Sequence, residues 1–303
     1  MMLDGALAMP AAALAAVLLD RLLGEARHFH PLVGFGNLAA AVEKRLNNRR
    51  LVPGLFAWAL VVLPFVALAW LLRPYAPFAV DVALLYFALG AQSLCEHAEA
   101  IAKPLQDGHL DEARQRVSWI VSRDTSTLDE SGIAKAGVES VLENGNDAIF
   151  GTLFWFALLG GPGALLFRLA NTLDAMWGYR TERFNLFGRF AARFDDALNW
   201  VPARLTALTY ALLGQTRNAL ACWRTQAPGW DSPNAGPVMS AGAGSLGVQL
   251  GGAAIYHGQE EIRPPLGSGP APVAADLGRA IALIRQSLWL WLSAFFVIGF
   301  LDA

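Results

Sequence analysis

The stretch "LVPGLFAWALVVLPFVALAWLL", from Leu51 to Leu72, contains no charged residue. A helix needs roughly 20 predominantly apolar residues to cross the hydrocarbon of a bilayer, and this run supplies them. No water reaches backbone amides there, so a spanning segment must satisfy its own N–H and C=O groups, which a helix does. Pro64 is tolerable inside such a helix when neighbouring helices serve the carbonyl it frees. Composition points the same way. The chain of 303 residues is 55% hydrophobic and only 16% charged, where soluble domains carry about a quarter, and its mean hydropathy is +0.39. A formal net charge of −2 offers nucleic acid no electrostatic attraction.

Further candidate spans are Leu7–Leu23, weakened by Asp20 and Arg21 at its inner end, Phe78–Cys95, with Asp81 near its start, and the Trp-rich Ser287–Leu301. The amino-terminal run lacks the basic n-region of a secretory signal and has Asp4 where positive charge belongs, so it reads as a retained, short membrane helix. Phe150–Ala170 is interrupted at mid-length by "GGPG" (Gly160–Gly163), which makes it either a kinked span or two half-helices. Lys103, Arg114, Arg116, Arg123 and Lys135 precede it, and Arg180, Arg183, Arg189 and Arg193 follow. Basic flanks stay in the cytoplasm, which favours a segment that enters and returns. The expected fold is an all-α integral membrane protein. It has about four transmembrane helices, plus a re-entrant or broken helix near Gly160–Gly163. A single polytopic domain carries helical polar segments, at about 24–50, 98–148, 171–200 and 215–285, on the cytoplasmic side.

Just ahead of the broken segment, Glu139, Glu143 and Asp147 recur at i, i+4 and i+8, one stripe of a helix. Like charges so spaced repel by about 0.2–0.5 kcal/mol per pair when exposed. Two readings stay open: a solvated helix face, or a cluster neutralised by Mg²⁺ or by arginine. Upstream, "SRDTSTLDESGIAKAGVES" offers Thr125 or Ser126 as an N-cap before Asp129 and Glu130, which leaves Arg123 and Asp124 unexplained. Downstream, Asn171, Asp174 and Gly178 share one helical side, and Arg180, Glu182 and Arg183 follow. Guanidinium forks suit phosphate or carboxylate, and a juxtamembrane anchor set fits the spacing equally. Asp195, Asp196, Asn199 and Arg204 then offer either metal ligands or helix caps.

Gly242, Gly244 and Gly247 match G-x-G-x-x-G, but "SPNAGP" precedes them where a dinucleotide site requires a strand. A Rossmann site is therefore rejected, and no P-loop motif is present. The five histidines, His28, His30, His97, His109 and His257, lack zinc spacing and read as structural or interfacial. Cys95 and Cys222 read as small apolar packing residues.

Four stretches together, "LLDRLLGEARHFHPLVGFG", "SRDTSTLDESGIAKAGVESVLENGNDA", "FRLANTLDAMWGYRTERFNLFGRFAARFDDALNWVPARLTAL" and "DSPNAGPVMSAGAGSLGVQLGG", resemble the CobD/CbiB family of cobalamin biosynthesis. The family's usual acid-Pro pair is replaced here by Gly24-Glu25-Ala26-Arg27, and the surroundings of Asn146 also depart from its pattern, which leaves Glu25 without a family role. The resemblance implies an adenosylcobinamide-phosphate synthase of the bacterial inner membrane, multi-pass, with its site facing the cytoplasm. Such an enzyme joins adenosylcobyric acid to aminopropanol phosphate at the expense of ATP. It implies Mg²⁺ held among Glu139, Glu143, Asp147, Asp174, Asp195 and Asp196, and Arg123, Arg180 and Arg183 on phosphates, with Asp124 as a base for the incoming ammonium. Glu143 and Asp174 are also expected to be essential for turnover. Substrate contacts fall on Arg183, Asn171, Tyr179, Asn199, Arg204, Ser232, Asn234 and Gly236. Implied partners are the corrinoid, membrane lipid and other membrane-bound late enzymes of the pathway. Competing classes are a small-molecule permease, for which broken helices are a common device, and an AmpE-like membrane sensor.

Overall fold

The computed structural model describes residues 5–25, 31–256 and 258–302. Asp4, Ala26, Arg27, His28, His30 and His257, which figure in the reading above, lie outside them. In chain order the helices are α1 (Gly5–Leu23), α2 (Pro31–Leu46), α3 (Leu51–Leu72), α4 (Pro77–Ala88), α5 (Ala91–Gln106), α6 (Leu110–Val117) and α7 (Glu130–Gly145). They continue with α8 (Gly151–Leu159), α9 (Gly161–Trp177), α10 (Arg189–Leu213), α11 (Thr216–Gln226), α12 (Ala235–Leu246) and α13 (Ala274–Leu301). A hairpin of β1 (Gln249–Tyr256) and β2 (Gln259–Gly267) stands between α12 and α13.

Among the described residues, four helical stretches are long and apolar enough to cross a membrane: Ala6–Leu23, Leu51–Tyr75, Pro77–Gln106 and Ala274–Leu301. The chain is thus an α-helical membrane protein with one small sheet. α3 shows why in its side chains. It buries Ala57, Trp58, Val61 and Val62, while Val52, Phe56, Leu60, Leu63 and Leu71 point outward and exposed. So continuous an apolar face is a liability in water and a contact surface in lipid.

The third stretch is not one helix. Leu89 is extended, Gly90 donates its N–H to the Ala148 carbonyl (3.2 Å), and α5 begins afresh at Ala91. The expected break in Phe150–Ala170 is also present. α8 ends at Leu159, and Gly160, at φ +69, turns the chain into α9. Asp81, a carboxylate in the apolar α4, is consumed by this turn. It accepts from Arg73 Nε and Nη2 (both 2.9 Å) and from the Gly161 N–H (2.8 Å). A Cβ on Gly160 would stand 2.5 Å from the Arg73 guanidinium, so glycine is required there both for φ and for room.

Two compact units can be distinguished in the chain, each assembled from non-contiguous segments. The first is drawn from Met1–Ala91, Asp147–Asn199 and Leu292–Ala303, and the second from Gln92–Asn146 and Trp200–Trp291. The first has an aromatic core of Trp58, Phe167, Trp177 and Phe187, with Trp58 edge-on to Phe194 at 4.6 Å between ring centroids. α3 approaches closely enough that a Cβ on Gly54 would lie 1.9 Å from the Phe187 carbonyl oxygen.

The second unit is built round α12, every residue of which is buried. Its composition of Gly, Ala and Ser lets backbones approach: a Cβ on Gly244 would lie 2.7 Å from the Ala219 Cα, and one on Gly242 would meet Leu142 at 2.8 Å. The G-x-G-x-x-G match is therefore helix packing followed by a C-cap, Gly247 at φ +67, and the rejected dinucleotide reading stays rejected. The hairpin was not anticipated, since 215–285 reads as helical loops. Cys95 and Cys222 are buried thiols, as expected.

Candidate functional site

α7 starts one turn later than the capping pattern suggests. Its N-cap is Asp129, whose carboxylate accepts the Gly132 N–H (2.7 Å). Thr125 and Ser126 do other work: Thr125 Oγ1 donates to the Arg114 carbonyl (3.1 Å), and Ser126 donates its N–H and O–H to Asp124 (2.9 and 2.7 Å). Those two bonds hold the exposed Asp124 carboxyl below its usual range, which makes it a weak proton acceptor.

In the third turn of α7, on its buried face, Glu139 is enclosed by donors. Arg123 Nη2 bonds Oε2; Arg263 Nη1 and Nη2 reach Oε2 and Oε1 (3.1 and 3.2 Å); and the Gly251 N–H reaches Oε1 (2.7 Å). Two guanidiniums thus stand where a metal was one of the expectations. Arg263 went unnoticed in the sequence. It arrives through the register of the hairpin, which sets Gly252 opposite it across a bulge. Its guanidinium lies 5.6 Å from the Trp230 ring centroid. Gly258, a turn former between an apolar and a polar run, is a sequence signal for a chain reversal here. The cluster opens on a cavity of about 280 Å³, with Glu143, Asn144, Trp230 and Tyr256 on its walls.

The acidic stripe divides at this point. The helix widens into a π turn over Asn146–Phe150, shifting the register on which i, i+4, i+8 rests. Glu139 and Glu143 belong to the second unit and Asp147 to the first. In the first unit, Asp147 lies electrostatically close to Asp174 and Asp195. Asp195 is buried and accepts from Asn171 Nδ2 (3.4 Å) and Asn199 Nδ2 (3.1 Å), so both amides serve to position a carboxylate. Burial, then the charges of Asp147 and Asp174, push Asp195 well above its usual range. Burial, with Asp147 and Asp196, raises Asp174 to about 6. Asp196 is raised by burial against the pull of Arg193 and Arg180. Arg168, a lone cation in the apolar run "LLFRLAN", also escaped notice. Its Nε has no partner among the described residues.

Among the described residues no group of three or more His, Cys, Asp or Glu side chains is arranged as a ready metal cage. The Asp147–Asp174–Asp195–Asp196 donor set is nevertheless oxygen-only, the chemistry Mg²⁺ takes, and its mutual repulsion is what a divalent cation would relieve.

The remaining expected residues are dispersed. Arg183 is paired with the buried Glu43 (Nε–Oε1 3.0 Å, Nη2–Oε2 2.5 Å). Burial pushes Glu43 up, but bonds from Arg183 and Asn47 outweigh it and hold it below the usual range. Tyr179 and Arg180 are exposed on the segment after α9. Arg204 donates to Trp200 O (2.7 Å) and Asn234 Oδ1 (3.1 Å) and lies over the Trp200 ring. It shares a second cavity of about 420 Å³ with Trp223, Arg224, Asp231 and Pro233. Ser232 Oγ accepts the Ala235 N–H (3.1 Å) at the start of α12, and a Cβ on Gly236 would meet the Ala227 carbonyl at 2.8 Å. His97 bonds the Ser93 carbonyl through Nδ1 (2.8 Å), a structural role as expected.

Both clusters lie inside a stretch, residues 13–284, that matches the family model described as CobD/Cbib protein. The chain belongs to the CobD/CbiB family. Curated relatives named "Cobalamin biosynthesis protein CobD" are 57% identical in Chromobacterium violaceum (95% of this chain, 97% of that one) and 57% in Stutzerimonas stutzeri (95% and 97%). One in Rhodobacter capsulatus is 41% identical, over 86% of each chain. No solved structure matches. Family membership therefore comes with no experimental template for either cluster.

Proposed function

We propose that the protein is an ATP-dependent amide ligase of cobalamin biosynthesis, joining the carboxylate of adenosylcobyric acid to the amine of aminopropanol or its phosphate. The observation that carries this reading is the buried Arg123–Glu139–Arg263 cluster beside a polar cavity, in a chain so similar to proteins named for cobalamin biosynthesis. A carboxylate is a poor electrophile. Its oxygen attacks the γ-phosphorus of ATP and ADP departs; the amine then attacks the acyl carbon, phosphate leaves, and the nitrogen gives up its proton. Such chemistry is mostly positioning and charge stabilisation. Arg180 supplies a cationic donor for the nucleotide's phosphate oxygens, and Arg123 one for the phosphate of the amino alcohol. Asp147, Asp174, Asp195 and Asp196 are the carboxylates that would hold Mg²⁺, which would shield the charge of the polyphosphate. The basic segments favour a polar surface on the cytoplasmic side of a bacterial inner membrane, where other membrane-bound late enzymes of the pathway are the expected neighbours.

Purified protein in detergent, given adenosylcobyric acid, aminopropanol phosphate and Mg-ATP, is expected to release ADP only when both co-substrates are present. Release independent of either, or none, sinks the ligase reading. Glu143→Gln and Asp174→Asn are each expected to abolish turnover while the protein still inserts and folds; near-normal activity removes that residue from the site.

A further inference from the structure

The Arg123–Glu139–Arg263 cluster carries more positive charge than its own bonds consume. Glu139 accepts four hydrogen bonds, about the capacity of a carboxylate's lone pairs. Arg263 is also engaged through Nε with the Gly252 carbonyl (3.2 Å). Arg123 is different. Its side chain is only 8% exposed, yet among the described residues Glu139 is the one acceptor for its five-donor fork. One bond to Glu139 leaves most of the Arg123 donors without a further acceptor among the described residues, beside the cavity that Arg123 lines, and buried donors of a charged fork favour a further anionic partner. The space beside it is about 280 Å³, just under the roughly 300–1,000 Å³ typical of drug-sized ligand sites. That suits a phosphate on a short chain and is cramped for a nucleoside triphosphate. On the wall of the same cavity stands Glu143, a carboxylate suited to an ammonium group.

We propose that this cavity binds a short phosphorylated amine, its phosphate on Arg123 and its ammonium toward Glu143, and that the nucleotide binds elsewhere. The inference rests on the ligase reading only for the identity of the amine, aminopropanol phosphate. Equilibrium binding to the purified full-length protein tests it, with aminopropanol phosphate, inorganic phosphate and ATP as separate probes. Two variants address the phosphate end: Arg123→Lys, which removes the fork, and Ser122→Glu, which adds negative charge at an exposed wall residue without touching the buried pairs. Both are expected to weaken aminopropanol phosphate by roughly ten- to a hundredfold, the worth of one charge-assisted bond, with ATP affinity changed by less than about twofold. Glu143→Gln is expected to weaken aminopropanol phosphate and leave inorganic phosphate unaffected. Unchanged aminopropanol phosphate binding in Arg123→Lys and Ser122→Glu, or a parallel loss of ATP, overturns the assignment. The expected binding pattern in a protein without turnover would uphold the cavity assignment and remove the ligase reading instead.

Discussion

Asp174 shows how much a single side chain can report. Its carboxyl is raised from 3.8 to about 6 by burial and by Asp147 and Asp196. Between those values the folded protein holds a proton that the unfolded chain has released, so the stability contributed by this carboxyl is fully present below about pH 4 and is lost as pH rises through about 6. The loss is on the order of 2–3 kcal/mol at most. Thermal denaturation in detergent is therefore expected to show a melting temperature that declines across this window, with a shallower decline in Asp174→Asn. Mg²⁺ bound by the same carboxylates should raise the melting temperature more above about pH 7 than below about pH 5, because protons compete with it. Equal shifts at both pH values would remove the metal from this cluster. Glu139 tells the opposite story. A carboxylate that looks like a metal ligand by residue type is neutralised by two arginines brought from outside its own helix.

Elements set the positions of these residues through two glycine-dependent turns. Gly160 sits at φ +69 and ψ −159, a region essentially closed to other residues, and abuts Arg73. Gly160→Ala is expected to cost about 1–3 kcal/mol and to be read as a lower melting temperature, with the Arg73–Asp81 pair the contact disturbed. Gly251 makes the comparable case in the hairpin. At φ +74 it presents its N–H to Glu139, and a Cβ would lie 2.1 Å from the Pro264 carbonyl oxygen. Gly251→Ala is expected to displace Glu139 and Arg263, and with Glu139 the Arg123 fork that holds the phosphate, weakening aminopropanol phosphate binding by about tenfold or more, the loss of a charge-assisted bond. Unaltered binding would show that the hairpin only covers the cavity.

At the scale of the whole molecule, four apolar helical stretches predict that the protein stays with the membrane through high-salt and alkaline washes and requires detergent for release. Release by either wash would contradict the spanning reading. That reading was legible in the sequence because it rests on chain-local physics. Leu51–Leu72 is apolar enough to dictate a lipid-facing helix without knowledge of its neighbours, and "GGPG" contains the only residues comfortable at the break they make. The Asn171–Arg204 block likewise kept Asp174, Asp195 and Asp196 together, with Asn199 one helical turn from Asp195 and Asn171 reaching it from the preceding helix, 24 residues away. What the sequence could not settle was which charges meet. A local stripe of Glu139, Glu143 and Asp147 gives no hint that a π turn separates its last member from the first two. Nor does it show that Arg263, more than a hundred residues away, closes on Glu139 through a hairpin. Electrostatic pairing depends on distances of a few ångströms between segments remote in sequence. Local composition therefore determined the membrane class, the broken helix and the acidic inventory. Only the tertiary structure decided which carboxylates are already neutralised and which cation faces an open cavity.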